Sequence, residues 1–177
     1  MKLSLSVAVG NYDRTRALVD GRVQIDGVHP AIMTLSPEEM FFRAFRHADF
    51  DITELSLASY AVSLANGANK YVALPRFLSR AFRHSSIYVT RASGIQTPEQ
   101  MRGKRIGIAE YQLTANVWAR ALLEDDFGVS PSEITWVRGG MDAPVRPEKL
   151  HLDLPSDVKV EAVKAGDTLN QLMKDGK

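Results

Sequence analysis

The sequence predicts an α/β chain built from two βα-type units. Three observations point to this class. Short apolar runs with strand periodicity alternate with capped helical segments along the chain. A buried strand over Arg105–Ala109 passes through a polar turn directly into a helix, as in open α/β sheets. The apolar run Ile87–Thr90, within Ser85–Arg91, separates the two halves and reads as a crossover strand. Each half is expected to hold a mixed sheet flanked by helices, residues 1–88 forming the first lobe and 89–177 the second.

The elements follow in order. Leu3–Gly10 alternates apolar with small polar residues, which predicts a strand. Asn11–Arg16 opens a short helix, with Asn11 or Asp13 as its cap. Arg22–Pro30 reads as a strand with a turn at Asp26–Gly27, and Ala31–Leu35 as the next strand. Ser36-Pro37-Glu38-Glu39 is a helix start: a serine cap, proline in the first turn, and carboxylates at the positive end of the dipole. That helix continues from Met40 to His47. Phe50–Ser56 is a short strand ending in polar residues, Leu57–Asn66 a helix, and Lys70–Leu74 a strand closed by Pro75.

In the second half, Thr97-Pro98-Glu99-Gln100 caps a short helix. The strand over Arg105–Ala109 and a long helix to Phe127 follow. Ile134–Arg138 and Val158–Ala162 are further strands with a proline-rich loop between them. Asp167–Lys177 is a helix closed by a glycine stop, where another strand would be expected. This ending reads as a truncated chain whose second lobe is incomplete and whose return to the first lobe is missing.

Composition narrows the function classes. The chain has 177 residues, 45% hydrophobic and 24% charged, enough to bury a core. A formal charge of +1 without a basic block gives no nucleic-acid footprint. Cysteine is absent, which removes disulfides, thiolate metal sites and cysteine nucleophiles. No apolar run reaches the roughly eighteen residues of a membrane span. The first residues lack the continuous apolar region and cleavage site of a secretory signal, so a cytoplasmic location is expected.

The most informative stretch is Gly107–Trp118. Ligands in open α/β sheets sit at the carboxyl ends of strands and the amino ends of the helices that follow. Glu110, Tyr111, Gln112 and Thr114 occupy that position. The turn lacks both the three-glycine dinucleotide fingerprint and a phosphate-cradling Gly-Lys-Ser/Thr, so a small polar molecule fits better than a nucleotide.

Four segments in order resemble one family: Tyr12–Leu18, Glu54–Tyr60, Phe82–Val89 and Gly103–Trp118. Together they are similar to the 4,5-dihydroxyphthalate decarboxylases, over nearly the whole chain to about Gly140. The resemblance implies a type II periplasmic-binding-protein-like fold of two lobes, used as an enzyme. It also implies a carboxy-lyase of aromatic catabolism, converting a dihydroxylated aromatic dicarboxylate of the 4,5-dihydroxyphthalate type to protocatechuate without oxidation. Family members continue well past Lys177. Two other classes share the fold: a solute-binding protein for a small organic anion without catalysis, and a cytosolic ligand-sensing module.

Such a reaction must hold carboxylates, protonate a ring carbon and spread charge through the ring hydroxyls. Arginine suits the first task because its planar fork donates in pairs. Arg14 and Arg83 are the candidates ahead of Arg16, the alternative being surface arginines paired to nearby acids. His84 is the candidate proton carrier, or else a structural histidine at a hinge. His29, His47 and His151 lie in turn or helix contexts without polar clustering. Glu54 and Glu110 each end a strand and are the candidate base and hydroxyl-orienting groups. For Glu110 the alternative is a helix N-terminal charge. Tyr111, Gln112, Thr114, Ser56 and Ser85 are candidate hydrogen-bonding groups, the serines and threonine doubling as helix caps. Trp118 is assigned to the core. No motif requires a cofactor and no metal ligands are assigned, though a divalent ion on His84 and a glutamate stays open. The expected partner is a small aromatic carboxylate, with a homo-oligomer left open.

Overall fold

The computed structural model describes residues 1–144 and 147–177, so Val145 and Arg146 of the proline-rich loop lie outside the described residues. The chain forms two compact units, Met1–Ala81 and Phe82–Lys177. Each is a three-stranded sheet with helices.

The first unit runs β1 (Leu3–Val9), α1 (Asp13–Val19), β2 (Val28–Thr34), α2 (Pro37–His47), β3 (Ile52–Thr53) and α3 (Leu57–Ala65). The strand order is β2-β1-β3 and both pairings are parallel, from Leu3 opposite Val28 through Val9 opposite Thr34. β1 is central, and Val7, Ala8 and Val9 at its carboxyl end are buried. A strand covered on both faces reads as a continuous apolar run rather than an alternation, and the second half of β1 does so.

α2 begins as expected. The Ser36 hydroxyl accepts the Glu39 N–H at 3.4 Å, with Pro37 in the first turn. Met40 and Ala44, four residues apart, share one face and enter the core with Ala8 and Phe50. α1 departs from expectation: its N-cap is Tyr12, not Asn11 or Asp13, and the Tyr12 N–H donates to the Thr15 hydroxyl at 3.2 Å.

The second unit runs β4 (Arg105–Ile108), α4 (Thr114–Phe127), β5 (Thr135–Arg138), β6 (Lys159–Ala162) and α5 (Leu169–Lys174), with strand order β4-β5-β6, again parallel throughout. Its core gathers Met101, Ile108, Tyr111, Leu123, Val129, Ile134 and Trp136.

The sheets are therefore parallel rather than mixed among the described residues. Lys70–Leu74 and Ile87–Thr90, both expected as strands, join no sheet. In the first, the backbone is engaged by side chains: the Ala73 N–H donates to the Tyr60 hydroxyl at 3.2 Å and the Tyr71 N–H to the Asn69 side-chain oxygen at 3.3 Å. Arg22–Ile25 is also no strand. Val23 folds back to the Ala17 carbonyl at 2.9 Å, and Arg22 pairs with Asp20 at 2.9 Å. β2 starts only after the Asp26–Gly27 turn and runs through Pro30, which an edge strand tolerates because one side of its backbone has no ladder to complete.

Trp118 does not enter the core; it is 57% exposed. Leu123 sets the buried side of α4, and five residues separate the two, about 140° around the helix. Trp136 on β5 fills the core instead, its indole N–H donating to the Pro131 carbonyl at 2.9 Å. Among the described residues, no helix is long and apolar enough to cross a membrane.

Candidate active site

In the first unit, the chain leaves β1 for β2 on one side and returns to β3 on the other. The strand order thus reverses between β1 and β3, and the crevice at their carboxyl ends is where open parallel sheets take ligands. Glu54 follows β3 there and is buried. Its own N–H extends the ladder to the Ala8 carbonyl at 3.1 Å. One carboxylate oxygen accepts the Tyr12 hydroxyl at 3.0 Å and the other the Gly10 N–H at 3.3 Å.

Gly10 is required by a close approach. A Cβ at this position would lie 2.4 Å from Cζ of the Tyr12 ring, so only glycine lets that ring lie across the strand end. The Thr15 hydroxyl donates to the Gly10 carbonyl at 2.9 Å and fixes the same turn from below. Burial pushes the Tyr12 phenol above its ordinary value and the adjacent Glu54 charge adds to it, against a hydrogen bond from Ser79. The phenol therefore stays a donor to the carboxylate at neutral pH.

Ser56 and Arg14 border this site. Ser56 is buried and caps α3, its hydroxyl accepting the Ser59 N–H at 3.5 Å. Arg14 lies over the Tyr12 ring at 4.7 Å, pairs with Asp13 at 3.1 Å and donates to the Leu78 carbonyl. Its guanidinium is thus already engaged locally.

In the second unit, the turn between β4 and α4 carries the expected cluster. Glu110, Tyr111 and Gln112 are all buried. Glu110 accepts the Gln112 amide at one oxygen and the Lys149 ammonium at the other, both at 2.5 Å. Lys149 is itself only 5% exposed. Asn116 donates to the Glu110 carbonyl at 2.6 Å, closing the turn from the first full turn of α4.

Arg120 holds the neighbouring residue. It donates to the Tyr111 carbonyl at 2.7 Å and lies 3.6 Å from the Tyr111 ring centroid. Tyr111 in turn meets Trp136 edge-on at 6.0 Å. Burial pushes the Arg120 guanidinium below, and the Tyr111 phenol above, their ordinary values. Thr114 opens α4.

The remaining expected residues lie in the segment that starts the second unit. His84 begins the 3-10 turn His84–Ser86 and is half exposed. Its ring stacks on Phe82 at 4.4 Å and its Nε2 lies 3.8 Å from the Asp126 carboxylate on α4. It is not among the side chains bonded to Glu110. Arg83 is partly buried, and Ser85 is exposed.

Three residues outside the sequence-based set complete these clusters: Tyr12, Lys149 and Arg120. Tyr12 stood in the motif but was not singled out; its spacing to Thr15 was the available signal. Lys149 reaches Glu110 across 39 residues of chain from a loop, and no local pattern marks it. Among the described residues, no group of three histidine or acidic side chains could hold a metal ion.

No family model matches the sequence. Two curated relatives do. A 4,5-dihydroxyphthalate decarboxylase of Comamonas testosteroni is 58% identical over 175 residues, covering 99% of this chain and 53% of the relative. A 4,5-dihydroxyphthalate decarboxylase of Pseudomonas putida is 57% identical over 175 residues, covering 99% of this chain and 68% of the relative. The chain spans about half the length of the first relative and two thirds of the second. With identity at this level sustained from one end of the sequence to the other, the chain belongs to the 4,5-dihydroxyphthalate decarboxylase family.

Proposed function

We propose that the protein is a carboxy-lyase acting on 4,5-dihydroxyphthalate, releasing one carboxylate as carbon dioxide and leaving protocatechuate. The observation that carries this reading is the 58% identity across 99% of the chain to a relative of that name. We also take the two units as the lobes of a type II periplasmic-binding-protein-like fold, a reading supported by the parallel sheets and by buried acids at their carboxyl ends.

The chemistry balances without an oxidant. A proton adds to the ring carbon that bears the departing carboxylate. The bond to that carboxylate then breaks, its electron pair restores the aromatic ring, and neutral carbon dioxide leaves. A hydroxyl para to the carbon supplies electron density for the first step, so an acceptor on that hydroxyl lowers the barrier. Buried acids suit this task, because a fixed acceptor in a dry site acts more strongly than water.

In this reading His84 carries the proton, with Asp126 orienting its ring. Arg83 and Ser85 hold carboxylates, and Arg14 would serve the same task in the first unit only by leaving Asp13. Glu110, with Tyr111, Gln112 and Thr114, serves the hydroxyl side in the second unit, and Glu54 with Ser56 is the matching acid and hydroxyl of the first unit taken by itself. The test is direct. The purified chain is incubated with 4,5-dihydroxyphthalate, with and without a chelator, and carbon dioxide and protocatechuate are measured together. Equimolar products support the lyase, while saturable binding without turnover rejects catalysis by this chain. Replacing His84 by Ala is expected to lower turnover about a hundredfold with little change in binding. Arg83→Ala is expected to weaken binding about tenfold. Equal small effects of both would remove these two assignments.

A further inference from the structure

Gln112 presents an anomaly that the lyase reading alone does not explain. Its side chain is 3% exposed, and its amide nitrogen donates to Glu110. That bond fixes the amide orientation, so the other end must be the carbonyl oxygen. This oxygen is fully buried and has no partner among the described residues. Leaving a buried acceptor unmade costs about 1–3 kcal/mol, a penalty that native structures seldom carry without a reason.

The surroundings are those of a built site. Glu110, Gln112 and Lys149 are each more than nine-tenths buried and bonded in a chain, ammonium to carboxylate to amide. The Lys149 charge offsets that of Glu110, which suits an anionic ligand. The Arg120 guanidinium clamps the backbone between Glu110 and Gln112. The cluster stands at the carboxyl end of β4, where open sheets take ligands.

Resting on the lyase reading, we propose that Glu110, Gln112 and Lys149 form a hydroxyl-recognition subsite, in which the Gln112 carbonyl oxygen accepts a hydrogen bond from a phenolic hydroxyl of the substrate. The missing partner is a donor, and the ring hydroxyls are the donors that distinguish this substrate from plain phthalate. Gln112 is then the residue that discriminates the two. A site built to bond a hydroxyl rejects the analogue lacking it, because its own acceptor is left unpaired. The same bond leaves more electron density on that oxygen to pass into the ring as the ring carbon is protonated.

The test uses the 177-residue chain and calorimetric titration with three probes: 4,5-dihydroxyphthalate, phthalate and 4,5-dimethoxyphthalate. The last keeps the ring oxygens but cannot donate. The wild-type chain is expected to bind the dihydroxy compound at least tenfold more tightly than either of the others. The Gln112→Met variant is expected to lose that preference, its affinity for the dihydroxy compound falling to within about twofold of its affinity for phthalate. The side-chain amide resonances of Gln112 should shift with the dihydroxy compound alone, a readout that needs no variant.

Equal loss of all three ligands in the variant, or tight binding of the dimethoxy compound by the wild type, would overturn the subsite and leave the lyase reading intact. Binding of none of the three by the wild type would overturn both.

Discussion

Glu54 and Glu110 are buried acids handled in two different ways. Glu54 is held by a phenol and a backbone N–H, so no formal cation neutralises it in those bonds. Glu110 is held by an ammonium. The difference has measurable consequences. Removing one member of a buried ion pair strands the other charge, so Lys149→Met is expected to destabilise the chain by about 3 kcal/mol or more in urea unfolding. A loss below about 1 kcal/mol would mean that Lys149 is solvated in solution. At Glu54 the informative variant is Gly10→Ala, whose new Cβ must push the Tyr12 ring away from the carboxylate. It is expected to cost about 1–3 kcal/mol in the wild type and much less in a Tyr12→Ala background, a coupling that a double-mutant cycle reads directly. Equal costs in both backgrounds would show that the ring does not lie there. Tyr12 also predicts a pH effect. Its phenol is raised, so the stability it confers is complete below the ordinary tyrosine value near 10 and is lost as pH rises through the higher folded value. Tyr71 and Tyr111 are likewise raised by burial. Tyr12→Phe should therefore remove amplitude from the part of the tyrosinate absorbance rise that comes above the ordinary value. The placement of Glu54, Glu110 and Gln112 was legible in the sequence, because a strand end followed by a helix start marks the carboxyl end of a parallel sheet. Lys149 and Arg120 were not, since their roles depend on contacts made across the fold and across a helix turn.

At the scale of elements, local chemistry was the reliable guide. α2 shows this: serine, proline and two glutamates marked its start, and the structure begins the helix at Pro37. Replacing Ser36 by Ala should cost about 1 kcal/mol by removing the acceptor for the Glu39 N–H. The other end was not readable. α2 stops at Ala48, which takes the left-handed conformation at φ 55° where a glycine is usual. A side chain there costs about 1–2 kcal/mol, part of which glycine returns through its freer unfolded state. Ala48→Gly is therefore expected to stabilise the chain by roughly 0.5–1 kcal/mol, and a destabilising result would mean that the turn is held by more than φ. The strand errors have one cause. Lys70–Leu74 and Ile87–Thr90 carry strand-like apolar patterns, but periodicity reports what a segment can bury, not whether a neighbouring strand is present to pair with it. β1 succeeded because it has parallel neighbours on both sides.

At the scale of the molecule, exposed surface locates the weak point. Three of the four outer strands are poor templates for further pairing. β2 carries Pro30, β3 has only two residues, and β6 exposes Lys159 and Glu161. Apolar exposure instead concentrates on either side of the boundary at Ala81. Val72 is 90% exposed, Phe82 78% and Tyr88 79%, with Leu74 and Phe77 also open to solvent. A protease needs an extended and accessible stretch of backbone, and this is the longest such stretch between helices α3 and α4 that carries large apolar side chains. Chymotrypsin at low ratio is therefore expected to cut first after Phe77, Phe82 or Tyr88, before Trp136 or Phe50, which are buried in the two cores. Trypsin should likewise choose Arg76, Arg80 or Arg83 ahead of Arg138. Mass spectrometry of the first fragments decides the matter. Pairs that join within residues 76–88 would agree with two units divided near Ala81, whereas early cuts inside β1 or β5 would mean that one sheet opens before the segment between the units is reached.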